Sequence, residues 1–576
     1  MTRTRLFSLA AATALAVSAC SKDSAPAGSD ADNPLLAYAP ADTEYVVANL
    51  APPPEEVLNA WLARAEPLLD EIQQMLTQAR ADLSSGQVDS DDEELVNLAL
   101  AVIDELDGKI NREGLESIGL SMRSYQAIYA DELLPVFRVA LSDPDALRAT
   151  IGRVEEKAGM VIPEYVVDDR AYWHIANEEW PVSIALAIVE DHLAASVLPA
   201  NTAGESTPQL RRLLGLDMPA TSFADGDALA SLNAENGYTA YGSGYLDTAR
   251  VVETIYTTGT APNNLLGYAM GTPVESTDPA CRADADRIST AMPRMITGVT
   301  ELTADSSSNE SRIELAPDIA AGLAALVADV PPAADDDSLF ASLSLNVNVG
   351  RLRAWALERL EAYRANPFGC PALQDLNLSV DQLYTQLNQP VMPFIGNLKG
   401  LRLQLADLGD LSGLSTGDFD LANLAGLASL EVESPQMLVG MAKMMIPGFD
   451  QLDLEPGGDP VELPQELMTV VTPEFAAHAV MSRDAIGLSF GKDQSGQLVD
   501  FLEEDNDPDG VVFSAEYDTA SLMELQNSSL EAYAAETGND TSAELMRAYE
   551  AMMGRTRVEV IYDDRGIRFR QHQTFR

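Results

Sequence analysis

Positive charge is scarce in this chain: 36 Lys and Arg stand against 90 Asp and Glu, a formal charge of −54 at pH 7. Such a surface repels nucleic-acid phosphates and anionic lipid headgroups, so neither is an expected partner. Histidines number four, His174, His192, His478 and His572, and no two lie at metal-ligand spacing, which leaves a zinc site without support. No phosphate-cradling Gly-rich loop occurs, and Gly242-Ser243-Gly244 falls short of the Gly-x-Ser-x-Gly elbow of a nucleophilic serine. Acidic pairs are so common that none stands out as a general acid and base. Beyond the first twenty residues there is no apolar run of about 20 residues, so no membrane-spanning helix is expected.

What is present starts at the N-terminus. Arg3 and Arg5 precede the short apolar run LFSLAAATALAV, and small residues lead to Val17-Ser18-Ala19-Cys20. This resembles the lipobox of bacterial lipoproteins. The resemblance implies removal of residues 1–19, acylation of Cys20 (palmitate among the chains), and anchoring at roughly 0.8 kcal/mol per buried CH₂. An ordinary secretory peptide cut nearby is the alternative. Ser21 stands where an Asp would resemble an inner-membrane retention signal, so the expected location is the outer membrane, facing the periplasm. Residues 20–34, from Cys20 through SKDSAPAGSDADNP, are expected as the acylated cysteine and a flexible tether.

Of three cysteines, Cys281 and Cys370 then remain, and in an oxidising compartment they are expected to pair. Closing a loop of about 90 residues is worth about 4–5 kcal/mol in the chain-entropy picture. A reactive thiol is the other reading, but neither cysteine has a neighbouring histidine in sequence.

The chain is long enough for several domains, and it says much the same thing twice. Leu134–Gly159 reads as an alternating strand, an Asp-Pro turn and an amphipathic helix; Leu427–Gly448 repeats it with Ser434-Pro435 opposite Asp143-Pro144. The strand DTEYVVANL from Asp42 is answered by DSLFASLSL from Asp337, each followed by a helix carrying a tryptophan, Trp61 and Trp355. Gly114–Arg123, read as a strand, is answered by Asn397–Ala406. Hairpins at Pro181–Leu198 and Phe475–Phe490 correspond, as do the strands opening at Gly237 and Gly510. The final pair is AMPRMITGVTELTAD from Ala291, which leads into a hairpin over Thr297–Glu314 turning at SSSN, and AMMGRTRVEVIYDDRGIRF from Ala551. Short turns between alternating strands imply antiparallel sheet with helices over its apolar faces. The expected fold is therefore α+β: two similar lobes, 35–330 and 331–576, each a mainly antiparallel sheet covered by amphipathic helices. The join is expected at Ala324–Asp337, with the cystine pinning the lobes across it. The leucine-rich patch Leu401–Leu427 is too short to be a repeat array and reads as a connection.

The chain resembles bacterial envelope proteins of unknown activity that open on a Pro-Ala-Asp-Thr strand, here Pro40-Ala41-Asp42-Thr43, and repeat strand–Asp-Pro–helix units. The resemblance implies a duplicated, secreted or lipid-anchored α+β protein and brings no activity or site residues with it.

One motif has metal-ligand spacing. Asp505, Asp507, Asp509, Val511 and Glu516 fit the EF-hand pattern D-x-D-x-D-G-x5-E, with Val511 supplying a carbonyl and Gly510 the sharp turn. Against bound Ca²⁺ as a cofactor stand Pro508 and Phe513 inside the loop and the strand reading of Gly510–Tyr517; a solvated acidic turn explains the same residues. Met437, Met441, Met444 and Met445 line one helix face, expected as core, with a soft apolar groove as the alternative. Without a catalytic constellation, the expected function is a non-catalytic, outer-membrane-anchored binding or scaffold module for another envelope component. A carrier of a hydrophobic ligand such as a lipid is the second reading, and an envelope hydrolase the third.

Overall fold

The computed structural model describes residues 28–85, 93–175, 182–199, 202–257, 278–392, 394–408, 424–464, 476–491, 494–504, 509–523 and 541–576. It is a mixed α+β structure built on one large antiparallel sheet of 19 strands, and the chain divides into two compact units; two similar lobes, each with its own sheet, are not what the strand pairings show.

The first unit runs to Ser289 and resumes over Pro293–Glu310. In chain order it contains β1 (Tyr45–Ala48), α1 (Glu55–Ser84), α2 (Glu93–Leu106), α3 (Arg112–Ser117), β2 (Gln126–Asp131), β3 (Leu134–Ala140) and α4 (Pro144–Ala158). Then come β4 (Glu164–Val167), β5 (Arg170–Ile175), β6 (Val182–Val189), β7 (His192–Pro199), α5 (Pro208–Leu213) and α6 (Ala228–Asn236). It closes with β8 (Ser243–Asp247), α7 (Thr248–Thr257), α8 (Pro279–Ala291) and β9 (Arg294–Leu302), before β10 (Ser306–Glu314). Spatial order follows from the pairings: β4-β5-β6-β7-β3-β2-β1-β8-β9.

The second unit takes over at Ser311, within β10. It contains α9 (Pro317–Ala324), β11 (Ala341–Asn346), α10 (Val349–Ala365), α11 (Gln374–Leu387), β12 (Leu398–Asp407), β13 (Ala425–Val432) and α12 (Pro435–Met445). It continues with β14 (Val461–Glu462), β15 (Ala477–Met481), β16 (Ala485–Phe490), α13 (Leu498–Leu502), β17 (Val511–Asp518), α14 (Thr541–Met552), β18 (Met553–Asp563) and β19 (Gly566–Phe575). Its spatial order is β14-β15-β16-β13-β12-β11-β17-β18-β19.

The strand–Pro–helix units form as their residues dictate. After β3 the Asp143 carboxylate accepts from the Asp145 and Ala146 N–H groups, both at 3.0 Å, Pro144 supplies the first helical φ, and Gly159 ends α4 at φ +66°. Pro435 likewise opens α12 after β13, though the Ser434 side chain makes no capping hydrogen bond, and Gly448 at φ +87° turns the chain beyond it. In the hairpins, Asp168 and Asp169 both take positive φ between β4 and β5, the turn that matches strand twist.

Several expectations are corrected. Gly114–Arg123 is not a strand: the Asn111 side chain caps Gly114 N–H at 2.8 Å and starts α3, so the strand comes later, at β2. The strand expected from Gly237 begins at Ser243, because Gly237 at φ +70° is the C-terminal cap of α6. SSSN lies inside β10, and the chain turns earlier, where the Thr303 hydroxyl accepts from Asp305 and Ser306 N–H. Cys281 sits in α8. The Ala324–Asp337 stretch is not a join but part of the second unit: Ser514 Oγ accepts from Ala333 N–H at 2.6 Å and Ser344 Oγ donates to the Pro331 carbonyl at 2.6 Å. Nor is the stretch up to residue 34 all tether. Asp30, fully buried, accepts from Leu229 and Ala230 N–H at the start of α6, and Asn33 donates to the Asn49 and Gln126 carbonyls.

The strands of both units present alternating faces, but covering does not follow polarity. In β6 the buried side is Ser183, Ala185, Ala187 and Val189, while Ile184, Leu186 and Ile188 are half-buried. In β11 the buried residues are Ser342, Ser344 and Asn346, and Leu345 is 42% exposed. The small and polar faces are the ones sealed. In the first unit the seal is Leu35, Leu36, Leu210, Leu213, Phe223 and Leu229, packed on the small side chains of β6 and β7.

Candidate functional site

The sealed face of the first unit's strands holds a buried cationic knot. Arg138 on β3 is fully buried; its Nε donates to Tyr129 Oη at 2.9 Å and its Nη2 to the Arg212 and Leu213 carbonyls at 3.1 and 3.0 Å, at the end of α5. Its Nη1 lies 2.6 Å from His192 Nε2, and the Tyr38 ring stands 4.2 Å from the guanidinium carbon. An arginine only donates, so His192 Nε2 accepts and its proton sits on Nδ1, facing Asp191 at 3.6 Å. Burial, followed by the Arg138 charge, pushes His192 down to about 4, so it is neutral at neutral pH. With Nε2 occupied it has no free base to offer. Beside it Arg212 grips Asp131 with two contacts at 2.8–2.9 Å and reaches Glu132 at 3.1 Å.

A second cluster fastens the helices. Glu105 on α2, its side chain 4% exposed, takes Lys109 at 2.6 Å, Arg153 at 2.6 Å and Lys157 at 3.0 Å, the last two from α4. Arg153 above all holds the Glu105 carboxyl down to about 2. A carboxylate whose folded-state pKa is depressed adds stability above its ordinary value near 4.5 and loses it as pH falls toward 2. Urea unfolding from pH 5 to pH 2 is therefore expected to show a falling acid limb that Glu105→Gln flattens; an unchanged limb would remove Glu105 from the account.

The opposite face of the same sheet is apolar and incompletely covered. Directly paired residues form a row across six strands: Trp173, Leu186, Ala195, Phe137, Ile128 and Val47. Val47 is 42% and Ile128 39% exposed, the middle residues are half-buried, and Trp173 at the far end is buried. Arg148 of α4 stands over the Trp173 ring at 5.7 Å. The second unit's strands carry a similar kind of row, from Phe569 through Val560, Phe513, Leu345, Leu401, Leu430 and Ile486 to Met481. Leu401 is 41% and Phe569 42% exposed, while α12 closes the Met481 end through Val439. Met444 and Met445 of α12 are 81% and 71% exposed, so the methionine face expected as core points outward.

Of the residues singled out by motif, Cys20, Asp505 and Asp507 lie outside the described residues. Asp509 sits in the turn before β17 with positive φ, followed by Gly510 at φ +79°. Val511 and Glu516 are both in β17, extended, and Glu516 is buried with Arg555 Nε and Arg557 Nη1 each 3.0 Å from its oxygens. Strand geometry carries Glu516 about 16 Å along the chain from Val511, and two arginines hold its oxygens, so it cannot close an EF-hand around Asp509. Among the described residues no cluster of three His, Cys, Asp or Glu has metal-site geometry. The cystine Cys281–Cys370 is formed. His174 is buried among Tyr165 and Tyr172, and His478 and His572 lie on β15 and β19. Ser243 begins β8, paired with Ala48 and Gly298, with no histidine among the partners of its strand register.

The knot and the rows went unseen at the level of sequence. The rows had a usable signal in β6, where Ile184, Leu186 and Ile188 share one parity; Arg138, one basic residue in a strand, had none. No helix among the described residues is long and apolar enough to cross a membrane. No protein-family model, curated protein or solved structure matches the chain.

Proposed function

We propose that this is a lipid-anchored protein of the bacterial outer membrane, periplasm-facing, that binds another envelope component through apolar surface and catalyses nothing. The observation that carries the binding reading is the pair of half-exposed apolar rows, one on each unit's strands. Apolar side chains at about 40% exposure on central strands are costly unless something covers them in use. The non-catalytic reading draws support from the ionisable groups themselves: His192, Glu105 and Glu516 are each committed to arginines. Apolarity of the rows favours a hydrophobic ligand such as a lipid over a polar scaffold contact.

The same proposal includes descent by internal duplication. Its support is that β1, β2, β3, β6, β7, β8 and β9 occupy the spatial places that β11, β12, β13, β15, β16, β17 and β18 occupy in the other unit, in the same chain order. The extra strand β4 in the first unit is the difference.

Anchoring rests on Arg3, Arg5 and the run ending at Cys20. Metabolic labelling with radioactive palmitate is expected to mark the protein, and Cys20→Ala to abolish the label and move the protein from the membrane pellet to the soluble fraction. A label that survives Cys20→Ala would sink the anchor.

A further inference from the structure

We infer that the open face of the first unit's sheet is the seat of one long-chain fatty acid, its carboxylate at Arg148 and its chain laid along the row from Leu186 to Val47. This rests on the apolar-binding reading above and narrows it to a ligand.

Three observations select that ligand. The first is length. Six neighbouring strands about 4.8 Å apart give the row a span of about 24 Å, more than the ~15 Å that an acyl chain occupies in half a bilayer. The second is chemistry. Apart from Trp173, no side chain in the row has a hydrogen-bonding atom, and β2, β3, β6 and β7 are paired on both edges, so no backbone is left to recruit a peptide strand. What such a surface can hold is hydrocarbon.

The third is charge. Acidic residues outnumber basic ones 90 to 36, yet Arg148 makes no hydrogen bond or ion pair among the described residues. It stands over Trp173 at the end of the row where the apolar face is closed, while Val47 and Ile128 at the other end are open. A guanidinium without a carboxylate, beside a buried aromatic ring, fits a single anionic head with a long tail.

The test uses the full chain with Cys20→Ala, so that no acyl group of its own competes. Palmitate is titrated against a bound fluorescent fatty acid, alongside hexadecanol, the same tail without the charge. Expected are saturable displacement by palmitate at one site, a loss of about tenfold or more in palmitate affinity with Arg148→Ala, partial rescue with Arg148→Lys, and hexadecanol affinity unchanged by either. Ile128→Gln, at an exposed position that tolerates a polar side chain, is expected to weaken both ligands. No saturable palmitate binding, or equal loss of palmitate and hexadecanol with Arg148→Ala, overturns the inference. An apolar dye that binds the native chain and is lost in Ile128→Gln, with palmitate inert, would leave the apolar-binding reading standing and remove the fatty acid alone.

Discussion

Arg138→Ala is expected to cost the first unit about 3–5 kcal/mol, the usual penalty for removing one member of a buried charged network. The reasons are local. Removal leaves Tyr129 Oη, His192 Nε2 and the carbonyls of Arg212 and Leu213 without the donor that serves all four. It also opens a cavity beside the Tyr38 ring, which stacks on that guanidinium. In a unit of this size each kcal/mol moves the melting temperature by about 2–4 °C, so a fall on the order of 10 °C is expected in the first unit's transition. The same variant carries a second readout. The Arg138 charge is one of the causes holding His192 down to about 4, so its imidazole is expected to titrate higher once the arginine is gone. A melting temperature within about 2 °C of the native value, or an unmoved His192 titration, would show that the knot holds neither the unit nor the histidine.

The other large effect is expected at Glu516, where the metal reading and the structural one part company. Replacement by Ala leaves Arg555 and Arg557, two residues apart on β18, without the β17 carboxylate they share, again about 3–5 kcal/mol for an ion pair broken on one side. That loss should be the same in excess Ca²⁺ and in chelator, because the carboxylate's partners are guanidinium groups. Gln at the same position keeps the shape and one acceptor, and is expected to recover part of the loss. A native protein whose melting temperature rises several degrees with Ca²⁺, and a Glu516→Ala variant that loses that rise, would restore the calcium loop. The ladder continues outward, Arg557 to Glu559 at 2.9 Å and Glu559 to Arg570 at 3.1 Å, so charge removed at Glu516 is felt along three strands.

Where a local rule decides the backbone, the sequence was legible. Asp143-Pro144 and Gly159 frame α4, and α1 falls at Glu55–Ser84 as its apolar spacing demands. One misreading comes from a short apolar run whose period is ambiguous. In Gly114–Arg123 an upstream Asn111 cap decided for helix, and nothing inside the run announces that cap. Alternation in β6 and β11 correctly told which side chains share a face, but not which face is sealed. That depends on what arrives from afar: Leu210 and Leu213 over Ala185 and Ala187, the Pro331–Ala334 segment over Ser342 and Ser344. Small side chains let those segments approach closely, and the large aliphatics were left on the open side. The Arg138 knot assembles from five separate places in the chain, and no spacing in the sequence joins them.

The way Asp30 and Asn33 are held has a mechanical consequence. Tension on the chain ahead of Gly28 reaches the fold at the start of α6 and at the carbonyls of Asn49 and Gln126, beside the middle strands β1 and β2. A tug there must shear several short polar bonds at once instead of unzipping an outer strand one bond at a time. The unit is gripped near its centre, so a pull there leaves the sheet's registry intact.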